Sequence, residues 1–333
     1  MTKTLKSLPI QAVLLQKIKN SLPTHLGLAE EMADVLGVST DSAYRRIRCE
    51  TELSIDEAHL LAKKFNISMD GIFASLGDTV AFAYTKLTDD PENFKKYLQR
   101  IYGHTKLINS FADKKITYIA ETFPLFYSFF SHKLAQLKLF YWQKSVLNVP
   151  YYQGKKFEYG IVPEDLVELA TNAFKEYQKV PSVEVWTNET INTVLQQIEF
   201  YADSGAFLNR DDALGLVEEV RKMAKYLESC AESGRKLPGD AKENFTLFCS
   251  DVVLGTNCIY IQTGGEKYAY ISFNTMNSLT TNNHEFCEES EHWVKNIIKK
   301  SNMISGVSEK QRFQFFNLMH SNIDQCMARL QKA

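Results

Sequence analysis

Residues 28–48 read LAEEMADVLGVSTDSAYRRIR, a sequence that predicts two short helices joined by a tight turn. Apolar residues recur at helical spacing in its first half, at Ala29, Met32, Ala33 and Leu36. Gly37 tolerates the positive φ that such a turn requires, and Ser39 is a favourable N-cap for a second helix from about Thr40. The pattern therefore predicts a helix-turn-helix, with Ala33 as the small residue where the two helices touch.

The second predicted helix contains three arginines and can present them to a nucleic acid. We expect Ala43 and Ile47 to face inward, which directs most of the polar residues outward and leaves Arg46 near the boundary. Arginine pairs bidentately with guanine and with phosphate, and Thr and Tyr hydroxyls bind the DNA backbone. The predicted DNA-binding residues are Thr40, Asp41, Tyr44, Arg45, Arg46 and Arg48. The alternative is that these arginines form the solvated face of an ordinary helix.

The segment 28–73 resembles the Xre/Cro-type bacterial regulators that have a BetR-type N-terminal domain. The resemblance rests on Ala33, on residues 36–39 and 41–48, and on the Leu-Ser-Ile-Asp-Glu sequence at 53–57. It covers about residues 10–75, and it implies a compact all-helical domain, double-stranded DNA as partner and a role in transcriptional control. Cys49 departs from the family pattern, because a glycine is expected directly after the recognition helix, and this leaves the end of that helix open.

The flanking segments predict the remaining helices of this domain. Residues 10–22 carry Val13, Leu14, Ile18 and Leu22 at helical intervals. Residues 54–57 form a capping-box sequence that begins a helix with Ala58, Leu61, Ala62 and Phe65 on its apolar face. A short turn at 68–73 is expected to close the bundle.

Charge limits how this domain could bind DNA. Residues 1–76 contain nine Lys or Arg and nine Asp or Glu, and the whole chain has a net charge of −2. Such a balance excludes indiscriminate coating of nucleic acid and makes binding depend on a local cluster. We therefore expect modest affinity per chain, and a homodimer that doubles the contacts on two half-sites.

Length, composition and motifs constrain the remainder. The chain has 333 residues, enough for about two or three domains, and its apolar stretches are too interrupted to span a membrane. Residues 1–20 lack the apolar core of a signal peptide, and six scattered cysteines suit a reducing compartment, so we expect a cytoplasmic protein. No nucleotide-binding, nucleophile-elbow or zinc-protease motif is present, and we expect neither an enzyme nor a cofactor.

Residues 77–333 predict a larger α+β domain, with a further division near 236–243 as an open alternative. The predicted strands are 79–85, 115–120, 182–186 and a small antiparallel sheet from 245–249, 252–263 and 267–273, with Gly264-Gly265 as a hairpin turn. The predicted helices are 90–112, 124–147, 163–178, 187–203, 211–229, 283–300 and 308–330. The expected fold class is an all-α helix-turn-helix domain at 1–76 followed by this α+β domain with a small antiparallel sheet.

Two clusters in the larger domain could bind a ligand. His284, Cys287, Glu288 and His292 recur at helical intervals, but their spacing matches no closed metal site, and we predict no metal. The other cluster is aromatic: Phe126, Phe129, Phe130, Phe140, Tyr141 and Trp142 lie within 123–142, followed by Tyr151 and Tyr152. It predicts a packed core or dimer seam, with an apolar ligand pocket as the alternative.

The resulting expectation is a DNA-binding transcriptional regulator whose second domain senses a signal or mediates assembly. Its expected partners are double-stranded DNA, a second copy of the chain and an unidentified small-molecule effector. The rival interpretation is a protein-interaction scaffold whose helix-turn-helix no longer binds DNA, which the neutral domain charge favours slightly.

Overall fold

The computed structural model describes residues 9–22, 26–65, 67, 69, 72, 79–240 and 242–332. The chain divides into two compact units, Met1–Phe82 and Ala83–Ala333. Each unit has its own buried apolar core. In the described ranges, no helix combines the length and the apolarity needed to cross a bilayer.

The first unit is a small helical bundle, as the sequence predicts. Its helices are α1 (Ile10–Ser21), α2 (Leu28–Leu36), α3 (Thr40–Ile47) and α4 (Ile55–Lys64). Leu14 and Ile18 from α1, Met32 from α2 and Leu61 from α4 meet around Ala43, which is fully buried. A larger residue at position 43 would therefore force α3 away from the core.

Local signals in the sequence fix the ends of these helices. Gly37 ends α2 with a φ of +64°, and the Ser39 hydroxyl accepts a hydrogen bond from the Ser42 amide at the start of α3. Ser54 and Glu57 form the predicted capping box at the start of α4. The turn predicted at 68–73 lies outside the described residues, apart from Met69 and Ile72.

The second unit contains helices and strands along its whole length. Its helices are α5 (Pro91–Ser110), α6 (His132–Tyr141), α7 (Glu164–Gln178), α8 (Asn192–Asp203), α9 (Asp211–Ser233), α10 (His284–Lys299) and α11 (Glu309–Lys332). Its strands are β1 (Lys114–Ala120), β2 (Ser182–Trp186), β3 (Phe245–Cys249), β4 (Cys258–Thr263), β5 (Glu266–Phe273), β6 (Asn277–Thr281) and β7 (Asn302–Met303).

These strands form one mixed sheet in the order β6-β5-β4-β1-β2-β3-β7. The central strands β1, β2 and β3 are parallel neighbours, with Ile116 opposite Ser182 and Ser182 opposite Phe245. The strands β4, β5 and β6 extend one side in antiparallel fashion, and β7 pairs antiparallel with β3 at the other edge. The prediction of a small antiparallel sheet is therefore wrong, because the second unit contains a seven-stranded mixed sheet.

The reason is that parallel pairing leaves little local signal in a sequence. Parallel neighbours are joined through long crossovers, so no hairpin turn marks β1 and β2 as partners. Both faces of these strands are covered: Ile116 and Tyr118 pack into one core, and Ile119 packs into the other. The helices α5, α7, α9 and α11 contribute to the first core, and α10 packs on the opposite face against β4 and β5.

Local predictions in the second unit had mixed outcomes. The Gly264-Gly265 turn joins β4 and β5 as predicted, with φ values of +56° and +78°. The strand predicted at 79–85 is reduced to a single bridge between Ala83 and Thr280. The helix predicted at 124–147 is instead a 3₁₀ turn (Leu125–Phe129), then α6, then a π turn (Trp142–Val146), because the Ser131 hydroxyl caps a new helix start.

The sheet has a buried acidic residue at its centre. Glu184 on β2 is completely buried, and its carboxylate accepts hydrogen bonds from the Tyr127 hydroxyl at 2.8 Å, the Tyr177 hydroxyl at 2.5 Å and the Trp186 indole nitrogen at 2.9 Å. These three donors compensate for the removal of the carboxylate from water. Burial and the nearby Glu184 charge raise the pKa of the Tyr177 hydroxyl well above its ordinary value, so it remains a donor.

We predict that Glu184→Gln destabilises the second unit by about 1–3 kcal/mol. The amide oxygen of glutamine can accept hydrogen bonds but its nitrogen cannot, so one of the three donors is left without an acceptor. All three tryptophans lie between residues 142 and 293, so urea unfolding followed by tryptophan fluorescence reports on this unit alone. Glu168→Gln, at an exposed position of α7, is the control and should leave the midpoint unchanged. A Glu184→Gln midpoint equal to that of the parent would contradict a stabilising role for the three hydrogen bonds to this carboxylate.

Candidate functional site

The outward face of α3 carries most of the residues that the sequence predicts to bind DNA. Thr40, Asp41, Tyr44, Arg45 and Arg48 are all exposed, and 45% of the Tyr44 surface is accessible to solvent. Asp41, Arg45 and Arg48 lie on the side of the helix away from Ala43, Tyr44 lies beside them, and Thr40 is the first residue of the helix. Ala43 and the half-buried Ile47 face the core, so the face directed to solvent is set by packing.

The structure places the sixth predicted residue, Arg46, differently from the other five. Its guanidinium is only 15% exposed and donates to the Glu57 carboxylate, with an Nη2–Oε1 distance of 2.8 Å and an Nε–Oε2 distance of 3.4 Å. Arg46 also donates to the Ser42 carbonyl at 3.3 Å. These contacts direct Arg46 toward α4, so its side chain positions α3 within the bundle.

The Glu57 carboxylate accepts hydrogen bonds both at the start of α4 and from α3. It accepts a hydrogen bond from the Ser54 amide at 3.0 Å in the capping box of α4, in addition to its contacts with Arg46. The hydrogen bond from Arg46 is the main reason why the pKa of the Glu57 carboxyl lies below its ordinary value. The Arg46–Glu57 pair therefore makes its full contribution to stability above the ordinary pKa of glutamate. This contribution is lost as the pH falls through the lowered pKa of Glu57.

Gln11 of α1 holds the segment that follows α3. Its amide nitrogen donates to the carbonyls of Arg46 at 2.8 Å and Thr51 at 2.9 Å, and its amide oxygen accepts from the Leu53 amide at 2.8 Å. Gln11 and Glu57 were not identified from the sequence. The capping-box pattern marked Glu57 only as a helix start, and no local pattern joins Gln11 to residues about 40 positions away.

The two exposed arginines differ in their surroundings. Arg48 forms an ion pair with Glu50, with an Nε–Oε1 distance of 2.7 Å, and both side chains remain about half exposed. The hydrogen bond and charge of Glu50 raise the pKa of Arg48. Arg45 has no side-chain hydrogen bond or ion pair with any residue that the structure describes. The outward face therefore presents one unpaired guanidinium and one guanidinium held by an exposed, exchangeable partner.

Cys49 occupies the position at which the resemblance to Xre/Cro-type regulators predicts a glycine. Its φ is +57°, the left-handed conformation that glycine adopts without steric cost. The Cys49 amide donates to the Arg46 carbonyl, and the Glu50 amide donates to the Arg45 carbonyl. This pair of bonds is the Schellman arrangement that ends helices, so α3 ends here although the residue is not glycine.

We predict that Cys49→Gly stabilises the first unit by about 0.5–1 kcal/mol, because relief of left-handed strain exceeds the added entropy of the unfolded chain. Amide hydrogen exchange of peptides from α2 and α3 measures this, with slower exchange expected in the variant. Cys49→Ala removes the thiol but keeps the Cβ atom, and it should exchange like the parent. Faster exchange in Cys49→Gly would show that residue 49 is unstrained.

The aromatic cluster of the second unit is divided between core and cavity. Phe129 and Phe140 are completely buried in the main core, whereas Tyr151 is 58% exposed. Phe123, Phe126 and Trp142 line a cavity of about 300 Å³ on the helical side of the sheet. This cavity corresponds to the alternative of an apolar pocket, although only part of the aromatic cluster lines the cavity.

The other predicted cluster does not converge on a common point. His284 is 86% exposed, Cys287 is buried, and Glu288 pairs with Lys267. In the part of the chain that the structure describes, no three His, Cys, Asp or Glu residues are arranged to hold a metal ion.

The helix-turn-helix with its exposed arginines is therefore the candidate nucleic-acid interface. Comparison of the chain with protein-family models, with curated proteins and with solved structures found no match.

Proposed function

We propose that this protein is a sequence-specific DNA-binding transcriptional regulator that places α3 in the major groove. The observation that carries the proposal is the outward face of α3, where Tyr44, Arg45 and Arg48 are exposed on a helix whose other side is fixed by Ala43 and Arg46. A helix of this kind, preceded by a second helix and a tight turn, fits the dimensions of the groove. The resemblance to Xre/Cro-type regulators supports the same function.

The exposed residues have distinct roles in this proposal. Arg45, which is unpaired, reads a guanine through its O6 and N7 atoms. Arg48 exchanges Glu50 for a base or a phosphate, and the hydroxyls of Tyr44 and Thr40 bind the DNA backbone near the start of the helix. Asp41 accepts from a cytosine amino group, and Arg46 supports the interface by holding α3 against α4.

Affinity in this proposal comes from two copies of the chain. The N-terminal domain is neutral, so one copy offers few phosphate contacts. A homodimer would place two copies of α3 on half-sites about 34 Å apart, one turn of the double helix. The second unit would sense a signal or mediate this assembly. We place the regulator in the cytoplasm, where the six free cysteines suit a reducing environment.

A protein-interaction scaffold is the second candidate, and the Arg48–Glu50 pair favours it, because the pair lowers the charge available to DNA. The two candidates differ in their response to salt. A DNA binder releases counterions and loses affinity steeply as salt rises, whereas a scaffold shows no affinity for duplex at any salt concentration.

We predict that Arg45→Ala combined with Arg48→Ala weakens binding to an in vitro selected duplex by at least about 30-fold, because two base or phosphate contacts are lost. The measurement is fluorescence anisotropy with the full chain at several salt concentrations. Lys63→Ala combined with Lys64→Ala is the control, because it removes the same charge from exposed positions of α4. Equal affinities for the two double variants would contradict the assignment, provided that both unfold at the parent temperature.

We predict that Glu50→Gln raises affinity for the same duplex by about two- to fivefold, because Arg48 no longer has to leave an ion-pair partner and a repulsive charge is removed. Glu52→Gln makes the same change in net charge at an exposed position two residues away. It should produce a smaller gain. If both variants gain equally, Glu50 acts only through net charge, and its ion pair with Arg48 does not limit binding.

A further inference from the structure

The cavity of the second unit lies between the sheet and one side of α5. Alternate residues of the strands form its floor, among them Ile116 and Tyr118 on β1 and Ile261 on β4. Tyr97, Ile101 and other residues at helical spacing on α5 form a wall. The space therefore lies inside one compact unit and is bounded by regular elements, which is how preformed ligand sites are built.

The size of the cavity limits what it could hold. An apolar cavity of about 150 Å³ accepts a benzene molecule in another protein, so about 300 Å³ has room for roughly twice as many heavy atoms, on the order of a dozen. Phe123, Phe126, Trp142 and Tyr270 supply aromatic surface around it. This lining favours a ligand with an apolar body, either aromatic or aliphatic.

The charged residues of the lining are all basic. Arg100 and Lys138 line the cavity together with His104, which is exposed at its rim, and no Asp or Glu is among the described residues of the lining. The Arg100 guanidinium donates to the Thr85 hydroxyl rather than to a carboxylate. The chemistry of the lining therefore favours a negatively charged group on the ligand.

Lys138 on α6 is the charged residue of this lining that lacks a polar partner among the described residues. Its ammonium lies 5.5 Å from the ring centre of Trp142 and 5.8 Å from that of Tyr141, and it has no hydrogen bond or ion pair with a described residue. In contrast, Lys236 donates to two backbone carbonyls, and Lys267 binds two glutamates. A half-buried ammonium whose neighbours are two aromatic rings and no carboxylate is stabilised further by a ligand that supplies a negative charge.

Burial also makes Lys138 responsive to an anion. Removal from water lowers the pKa of Lys138 to about 8, so the side chain is mostly protonated at neutral pH and about half protonated near pH 8. A bound anion would stabilise the ammonium and raise this pKa, so binding near pH 8 would take up protons.

The cavity has an adjoining opening. A second depression of about 610 Å³ shares Phe123, Lys138 and Asn257 with the cavity, extends past Phe200, which is 67% exposed, and has the exposed Glu121 as its one acidic residue among those described. Lys138 therefore lies at the junction of the two spaces. A ligand could place its charged group at Lys138 and its apolar body in the inner cavity.

We propose that this cavity binds an apolar monocarboxylate of about a dozen heavy atoms, with its carboxylate on Lys138. A carboxylate fits better than a phosphate ester, because Arg100 is already bonded to Thr85, and a dianion costs more to bring into apolar surroundings than the half-buried Lys138 ammonium alone compensates. The site goes beyond the DNA interface, and its test contains no DNA, so either proposal can fail without the other.

The test compares two carboxylates with neutral molecules of nearly the same shape. Indole-3-acetate and decanoate are titrated into the full chain beside indole-3-ethanol and decanol, with isothermal titration calorimetry as the readout. We expect at least one carboxylate to bind about tenfold or more tightly than its neutral counterpart. The aromatic and aliphatic pairs show which kind of apolar body the cavity prefers.

Lys138→Met retains the apolar stem and removes the charge, so it should abolish the preference for the carboxylate while leaving binding of the alcohol unchanged. Lys133→Met, at an exposed position of the same helix outside the cavity lining, should behave like the parent. Near pH 8, binding to the parent should take up as much as about half a proton, measured in two buffers of different ionisation enthalpy. Lys138→Met should show no such uptake.

Three results would overturn the proposal. Equal affinity for carboxylate and alcohol would show that the cavity is only an apolar space. A preference for the carboxylate that survives Lys138→Met would place the charge contact elsewhere. Failure of all four molecules to bind up to their solubility limits, with a folded parent, would show that the cavity does not accept a ligand of this size.

Discussion

The carboxylate of Glu57 accepts hydrogen bonds from the Ser54 amide and from the Arg46 guanidinium, and these contacts hold α3 against α4. One of the three arginines at 45, 46 and 48 is thereby used inside the bundle. The same contacts, with Ala43 in the core, fix the rotation of α3 about its axis and decide that Arg45 and Arg48 face solvent. The proposed DNA interface thus depends on an interaction that itself touches no DNA.

The sequence predicted the first unit well, because its signals are local. The spacing of Met32 and Leu36, the turn at Gly37 and the caps at Ser39 and Ser54 each act within a few residues. It did not identify the role of Arg46, because the partner of Arg46 lies on another helix. In the second unit the sequence located most strands but not their order, since the parallel pairing of β1, β2 and β3 depends on crossovers that carry no pairing signal.

The two candidate sites share one physical feature, a cation that the fold leaves without a carboxylate. Arg45 has no ionic partner on the surface of the first unit, and Lys138 has none beside the cavity of the second, in the parts of the chain that the structure describes. The buried carboxylate of Glu184, in contrast, is compensated by its three donors. Uncompensated cations in a chain of net charge −2 are favourable places for anions, a DNA phosphate or base edge in one unit and a small carboxylate in the other.

The most direct test of the DNA proposal replaces single guanines of a selected duplex by 7-deazaguanine, which lacks the N7 acceptor. We predict at least one position at which this change weakens binding of the parent by about tenfold while leaving the already weakened Arg45→Ala protein unaffected. Unchanged parent affinity at every guanine, or equal losses for the parent and Arg45→Ala, would contradict the claim that α3 reads bases in the major groove.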